Sequence, residues 1–263
     1  MVTSIWTTQQ PSIRLQWGTR AYDPADTVSA LRETLDVLAL CGRPFAGPWK
    51  LSDPASRDAD GARIDLLDDD TVRRVLGRGV ARNHDGEPFP KDGYGATLVS
   101  GLVDGVGVSV GLHVGATVNR YVVNELTVTQ RAVVPDATAD LRDSFGRHQV
   151  EVLQRLVDIW SPDLAQVTLR DASRSQRRFK TLVGLTNYFR GDRGSFFSAI
   201  ELPAVAKIRV SDEGTWLNID VGHDDLVTTV AGIVATADVV EDAGGLVVGA
   251  PTDGTTDARP EGR

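Results

Sequence analysis

Residues 141–170 read LRDSFGRHQVEVLQRLVDIWSPDLAQVTLR, and the fold is decided here. Leu141, Phe145, His148, Val152, Leu156 and Ile159 recur at steps of three and four, which is one face of an α-helix. Leu153, Val157 and Trp160 widen that face. Pro162 ends the helix, because proline has no N–H and pushes the preceding residue out of the α region. Residues 164–169 then read as a short strand. So broad an apolar stripe must be buried against another layer, and a sheet is the natural partner.

Upstream, residues 94–128 read as a β-meander. Val106, Val108, Val110, Leu112 and Val114 share one face, while Gly107, Ser109, Gly111, His113 and Gly115 share the other. Asp104-Gly105 between apolar alternations is a hairpin signal. Further back, Ile13, Leu15 and Trp17 alternate with polar residues in a first strand. Asp23-Pro24 reads as an N-cap followed by proline at the first helical position. Val28, Leu31, Leu35 and Leu38 carry that helix to about Leu40, and Gly42 closes it. Residues 43–63 form a loop holding Phe45 and Trp49, which either fold back onto the core edge or anchor a contact surface. Asp68, Asp69 and Asp70 precede Val72, Val75 and Leu76, as expected of a helix start. Residues 82–93 are a polar linker.

Downstream, Arg174, Arg177, Arg178 and Lys180 form a basic cluster that reads as a solvated turn. Residues 183–189 are a short apolar stretch, and 190–195 a loop with two glycines. Residues 204–210 and 215–221 pair as strands across the turn Ser211-Asp212-Glu213-Gly214. Asp224 or Asp225 caps a last helix carrying Leu226, Val230, Ile233 and Ala237. The expected fold is α+β: a mixed, mainly antiparallel sheet packed against a long central helix and several further helices. Residues 1–242 form a single domain, and residues 243–263 a polar tail expected to be disordered.

The net charge of −8 and pI of about 5.0 argue against nucleic acid, whose phosphates need a basic face. An acidic surface also suits a basic partner. Cys41 is the only cysteine, so an internal disulfide is impossible; a reducing compartment is expected, with Cys41 as a small buried side chain. No run approaches the roughly 18 apolar residues of a membrane span. The first residues lack the basic start and apolar core of a signal peptide, so the expected location is the cytoplasm.

Chemistry-bearing motifs are missing. There is no G-x-S-x-G elbow, no H-E-x-x-H, no cysteine pair and no EF-hand spacing. His84, His113, His148 and His223 are scattered, and His148 reads as a core histidine. The local pairs His84-Asp85 and His223-Asp224-Asp225 read as a turn and a cap rather than metal ligands. Gly93-Tyr94-Gly95 and Gly105-Val106-Gly107 lack the third glycine and following helix of a dinucleotide fingerprint. No catalytic residue, metal or cofactor is assigned.

LQRLVDIWSPD, then VTLRD, then VGLTNYF with Gly184 and Tyr188, then ELPAVAKI, together resemble the immunity protein 52 family found beside polymorphic bacterial toxins. The order of elements agrees over roughly residues 10–240. Leu185 stands where the family pattern carries Trp, and residues 173–180 and the tail beyond Asp242 lie outside it. The resemblance implies a protein that is not an enzyme. It would bind a cognate toxin, often a nuclease, and block the active site or the substrate path. The family has no contact motif to carry over. On charge and shape, the candidate contacts are Asp68, Asp69 and Asp70, the turn residues Asp212 and Glu213, and the anchors Phe45 and Trp49. The alternatives are a hydrolase-type enzyme built from His113, His148 and distant carboxylates, or a structural or adapter domain.

Overall fold

The computed structural model describes residues 11–21, 23–51, 68–117, 124–132, 139–176, 182–220 and 226–245. Its first strand, β1 (Ser12–Trp17), buries Ile13, Leu15 and Trp17 and leaves the residues between them half-exposed. Helix α1 (Pro24–Ala39) follows, capped by Asp23, whose carboxylate accepts from the N–H groups of Ala25 and Asp26. Gly42 turns the chain at φ +71°, a conformation that costs glycine little. Then come β2 (Trp49–Leu51), α2 (Asp69–Arg78), β3 (Asp92–Ser100), β4 (Val106–Ala116) and β5 (Asn124–Ala132). Helix α3 (Ala139–Trp160) leads to β6 (Leu164–Thr168), α4 (Arg170–Ser175), β7 (Thr186–Arg190), α5 (Gly194–Ser198), β8 (Ala206–Val210), β9 (Gly214–Ile219) and α6 (Leu226–Asp242).

The nine described strands form one sheet in the order β2-β3-β4-β5-β1-β6-β7-β9-β8. The α+β class is as expected, and the sheet is simpler than the mixed one expected: every described strand pairing is antiparallel. The hairpin at Asp104-Gly105 is present, with φ of 48° and 78° at the two turn residues. The outer edge of β3 is shared. It pairs with β2 at Leu98–Ser100 and with the chain after α2 at Tyr94, where the Gly95 N–H donates to the Gly79 carbonyl at 2.8 Å. A Cβ on Gly79 would strike the Gly95 carbonyl, so this approach needs glycine.

Two helical layers cover the sheet unequally. Helices α1 and α3 adjoin each other on the face that carries Leu15, Leu126, Leu112 and Ala165. Trp160 of α3 stacks on Trp17 of β1 at 5.4 Å, and its indole N–H donates to Thr34 Oγ1 of α1 at 2.8 Å. The opposite face is covered over β6, β7 and β9. There Phe197 of α5 meets Phe189 at 5.8 Å, and α6 packs against β9 and α4. Both faces of β6 are therefore buried, as its unbroken pattern of buried residues shows.

Several local expectations change. The apolar face of α3 is the one read from sequence at Phe145, Val152, Leu153, Leu156, Val157 and Trp160, but it takes in Gln149, 4% exposed, whereas His148 is only half-buried. Gln149 Oε1 meets the Thr186 hydroxyl at 3.4 Å, which makes a polar side chain tolerable there. The stretch after β6 is not a plain solvated turn but begins with α4, while residues 177–181 lie outside the described residues. Helix α5 begins at Gly194, inside the stretch 190–195 read as a loop, and Trp49 begins a strand. The cap at Asp224 or Asp225 and the tail from residue 246 also lie outside the described residues.

Replacing Thr34 by Val leaves the buried Trp160 N–H without its acceptor. Urea unfolding should show a loss of about 1–3 kcal/mol. Adding Trp160→Phe, which removes the donor, should cost less than the two single losses summed. An unchanged midpoint in Thr34→Val would mean that the indole finds another acceptor.

Candidate functional site

The acidic candidates fall at two separate places. Asp68 caps α2: its carboxylate accepts from the Asp70 N–H at 3.1 Å and from the Thr71 hydroxyl. The Thr71 hydroxyl is the main reason that the Asp68 carboxyl lies below its ordinary value, with the backbone N–H groups and Arg74 adding to it. Asp69 pairs with Arg32 of α1 at 2.5 Å, and Asp70 with Arg73 at 3.2 Å. This cluster is thus engaged in starting α2 and tying it to α1. Asp212 and Glu213 are exposed in the β8–β9 turn. The Glu213 carbonyl accepts from the Tyr188 hydroxyl at 2.8 Å, leaving the carboxylate outside that bond. Six strand positions separate β3, where α2 packs, from β9. At about 4.8 Å per strand that is about 29 Å, so the two groups do not form one patch.

Phe45 and Trp49 are removed from the contact surface. Phe45 is 0% exposed and stacks on Phe145 at 5.3 Å; Trp49 is 4% exposed. Their burial follows from the large apolar area that each ring carries. They close the core beneath α1 and α3.

The runner-up catalytic pair is also separated. His113 alternates with Leu112 and Val114, so it lies on the sheet face opposite α3, which carries His148. A site containing both is excluded by the sheet between them. His113 instead borders a groove of about 720 Å³ on that face of β3, β4 and β5, with Thr97, Gly111, Glu125, Thr127 and Arg78. Glu125 is held there by Arg14 through contacts of 3.0 and 3.2 Å. Gly111 makes room for Thr127, whose Oγ1 would lie 2.7 Å from a Cβ at that position. Among the described residues, no group of three or more His, Cys, Asp or Glu could hold a metal ion. No described helix is long and apolar enough to cross a membrane.

The exposed acids of the helical layer were legible but not singled out as a site. Helix α1 buries Val28, Leu31, Leu35 and Leu38 and exposes Asp26, Glu33 and Asp36. Its one base, Arg32, is half-buried and bound to Asp69. On the neighbouring α3, Glu151 and Asp158 are exposed, with Arg155 bound to Glu151 at 2.8 Å. Beside the start of α1 lies a pocket of about 210 Å³, lined by Trp17, Arg20, Asp26 and Trp160. Arg20 sits over the Trp17 ring at 5.9 Å and donates to the Trp160 carbonyl at 3.0 Å. The chain matches no protein-family model and none of the curated proteins.

Cys41 is 1% exposed, and burial, then Glu151, push its thiol up to about 12. The reactive thiolate is therefore scarce near neutrality. At pH 8 the native protein should resist alkylation by iodoacetamide, and in urea Cys41 should react within minutes. Rapid labelling of the folded protein, followed by mass spectrometry, would contradict this.

Proposed function

We propose that this chain is an immunity protein that neutralises a cognate bacterial toxin, a basic nuclease, by binding it directly in the cytoplasm and covering its active site. No catalysis by the chain itself is involved. The observation that carries the reading is the solvent face of α1, where Asp26, Glu33 and Asp36 stand exposed without an exposed base on the same helix. A nuclease must be basic where it grips phosphates. An acidic helix face is complementary to that cleft and speeds the encounter. The sequence resemblance over roughly residues 10–240 and the net charge of −8 support the same reading. The surface proposed for contact is the α1/α3 layer, because the Asp68–Asp70 acids are engaged in holding α2.

Pull-down of the tagged protein from lysate of the source organism, with mass spectrometry of what it retains, tests the function. A toxin-like nuclease domain encoded nearby is the expected partner. If a co-expressed neighbouring toxin kills the cell unhindered, the immunity reading fails. The surface is tested with Glu33→Lys and Asp36→Lys together, leaving Asp26 in place at the positive end of the helix dipole. The folded double variant should associate with the toxin about tenfold more slowly at low salt, with the difference shrinking as salt rises. An unchanged association rate at low salt would move the contact away from α1.

A further inference from the structure

Among the described residues, β8 is the last strand of the sheet and pairs only with β9. Its backbone orientation can be read from the two ends of the hairpin. The Asp220 N–H donates to the Val205 carbonyl at 2.7 Å, and the Ser211 N–H to the Gly214 carbonyl at 2.9 Å. Antiparallel bonding alternates along a strand, so Val205, Lys207, Arg209 and Ser211 bond towards β9. Ile208 and Val210 then direct their N–H and C=O groups to the free edge. The Ala206 N–H is already bound to the Pro203 carbonyl at 2.9 Å.

The two faces of this edge differ. Lys207 and Arg209 are exposed on one face: Arg209 lies over the Trp216 ring at 5.6 Å, and Lys207 Nζ donates to the Ala204 carbonyl at 3.1 Å. On the other face Ile208 is half-buried and Val210 is 45% exposed. Helix α5 packs on that side, where Gly194 brings its backbone close to Val210. Phe196, Ile200 and Leu202, in and just after α5, are only partly buried, so the apolar shelf along this edge is incompletely covered.

A second copy of the chain fits poorly. Symmetric antiparallel pairing about Ile208 sets Lys207 opposite Arg209 of the other copy, and pairing about Arg209 sets Arg209 opposite itself. Like charges directly opposite are destabilising, and basic residues on an edge commonly prevent such self-pairing. The same charges favour carboxylates. We propose that β8 accepts, by strand addition, an extended segment of another protein in which acidic and apolar residues alternate. Its acidic side chains lie over Lys207 and Arg209, and its apolar ones cover Ile208, Val210 and the α5 shelf. Main-chain bonds to Ile208 and Val210 give affinity, and the alternation gives specificity. This inference does not depend on the toxin reading.

The probe is a fluorescein-labelled seven-residue peptide alternating valine and glutamate, followed by anisotropy, with a valine–lysine peptide as control. The wild type should give a saturable rise with the acidic peptide and bind the basic one at least about tenfold more weakly. Ile208→Pro removes an outward N–H while sparing the bonds to β9, a substitution that edge strands tolerate. It should weaken the acidic peptide by about tenfold. Lys207→Glu with Arg209→Glu, both exposed and therefore mild for folding, should reverse the preference between the peptides. The proposal is overturned by no saturable rise with the folded wild type, by equal binding of both peptides, or by unchanged acidic-peptide affinity in folded Ile208→Pro. It is also overturned if sedimentation shows a wild-type dimer that Ile208→Pro returns to monomer, since the edge would then belong to a second copy. If Ile208→Pro disturbs the tryptophan near-UV signal, the Lys207/Arg209 variant decides alone.

Discussion

The turn Trp160-Ser161-Pro162-Asp163 holds together elements that are far apart in the chain. The Trp160 ring stacks on β1 and bonds to α1, so one side chain joins three elements. Helix α3 ends here with no basic residue in its last turn. Its terminal carbonyls, which every helix leaves without intrahelical donors, find them elsewhere. Arg20 donates to the carbonyls of Trp160 and Ser161, and Arg190 reaches Ser161 at 3.4 Å. Both cations also suit the negative end of the helix dipole. Asp163 completes the junction by accepting from the Gly18 N–H at 2.8 Å and pairing with Arg190 at 3.6 Å. Ser161 has φ +44°, which lets the chain reverse before Pro162 and enter β6 beside β1.

A second constraint works on the other side of the sheet. Asn187 is fully buried on β7 and spends its amide on backbone: its Oδ1 accepts from the Gly184 N–H at 2.7 Å, and its Nδ2 donates to the carbonyls of Gly184 and Leu217. Gln166 donates to the same Asn187 oxygen, and Gln176 bonds both the N–H and the carbonyl of Val183. An irregular stretch before β7 can be buried only because these amides satisfy its backbone groups. Gly184 is required there too, since a Cβ would run into the Val167 carbonyl. This gives a physical reason for the residues of VGLTNYF that neither apolar pattern nor propensity supplies.

The strand and helix periods were legible wherever one face is buried. The cap at Asp23, the Asp104-Gly105 hairpin and the meander all follow from local chemistry that outlasts tertiary packing. Three things were not. Strand β2 is three residues long, too short for alternation to register, and exists because the edge of β3 binds it. On α3, Gln149 is buried with Thr186, 37 residues away, as its partner, so an apolar count placed His148 too deep. The aromatics Phe45 and Trp49 were ambiguous, because a loop ring faces the core or solvent according to packing that no local pattern records. Among the candidate contacts, position along the chain said which acids begin a helix, but not that Asp69 would be taken up by Arg32.

Net charge therefore describes the surface poorly, and the spacing of exposed charges decides what can act together. The Debye length in physiological salt is about 8 Å. The Asp68–Asp70 cluster and the Asp212–Glu213 turn, about 29 Å apart along the sheet, are invisible to each other at that range. On α1, a rise of 1.5 Å per residue puts Asp26 and Asp36 about 15 Å apart along the axis, with Glu33 between them. Glu33 and Asp36, about 4.5 Å apart along the axis, lie within one screening length and their fields add, while Asp26 stands about 10 Å from Glu33, just beyond it. On the adjoining α3, exposed Glu151 and Asp158 are matched by exposed Arg147 and Arg155, so the negative field is that of α1. Among the described residues, a partner that reads this protein by charge meets a coherent negative field on α1. The free edge of β8 presents Lys207 and Arg209 locally, despite a total of −8. Surfaces of opposite sign can persist on one acidic chain because salt limits each of them to its own neighbourhood.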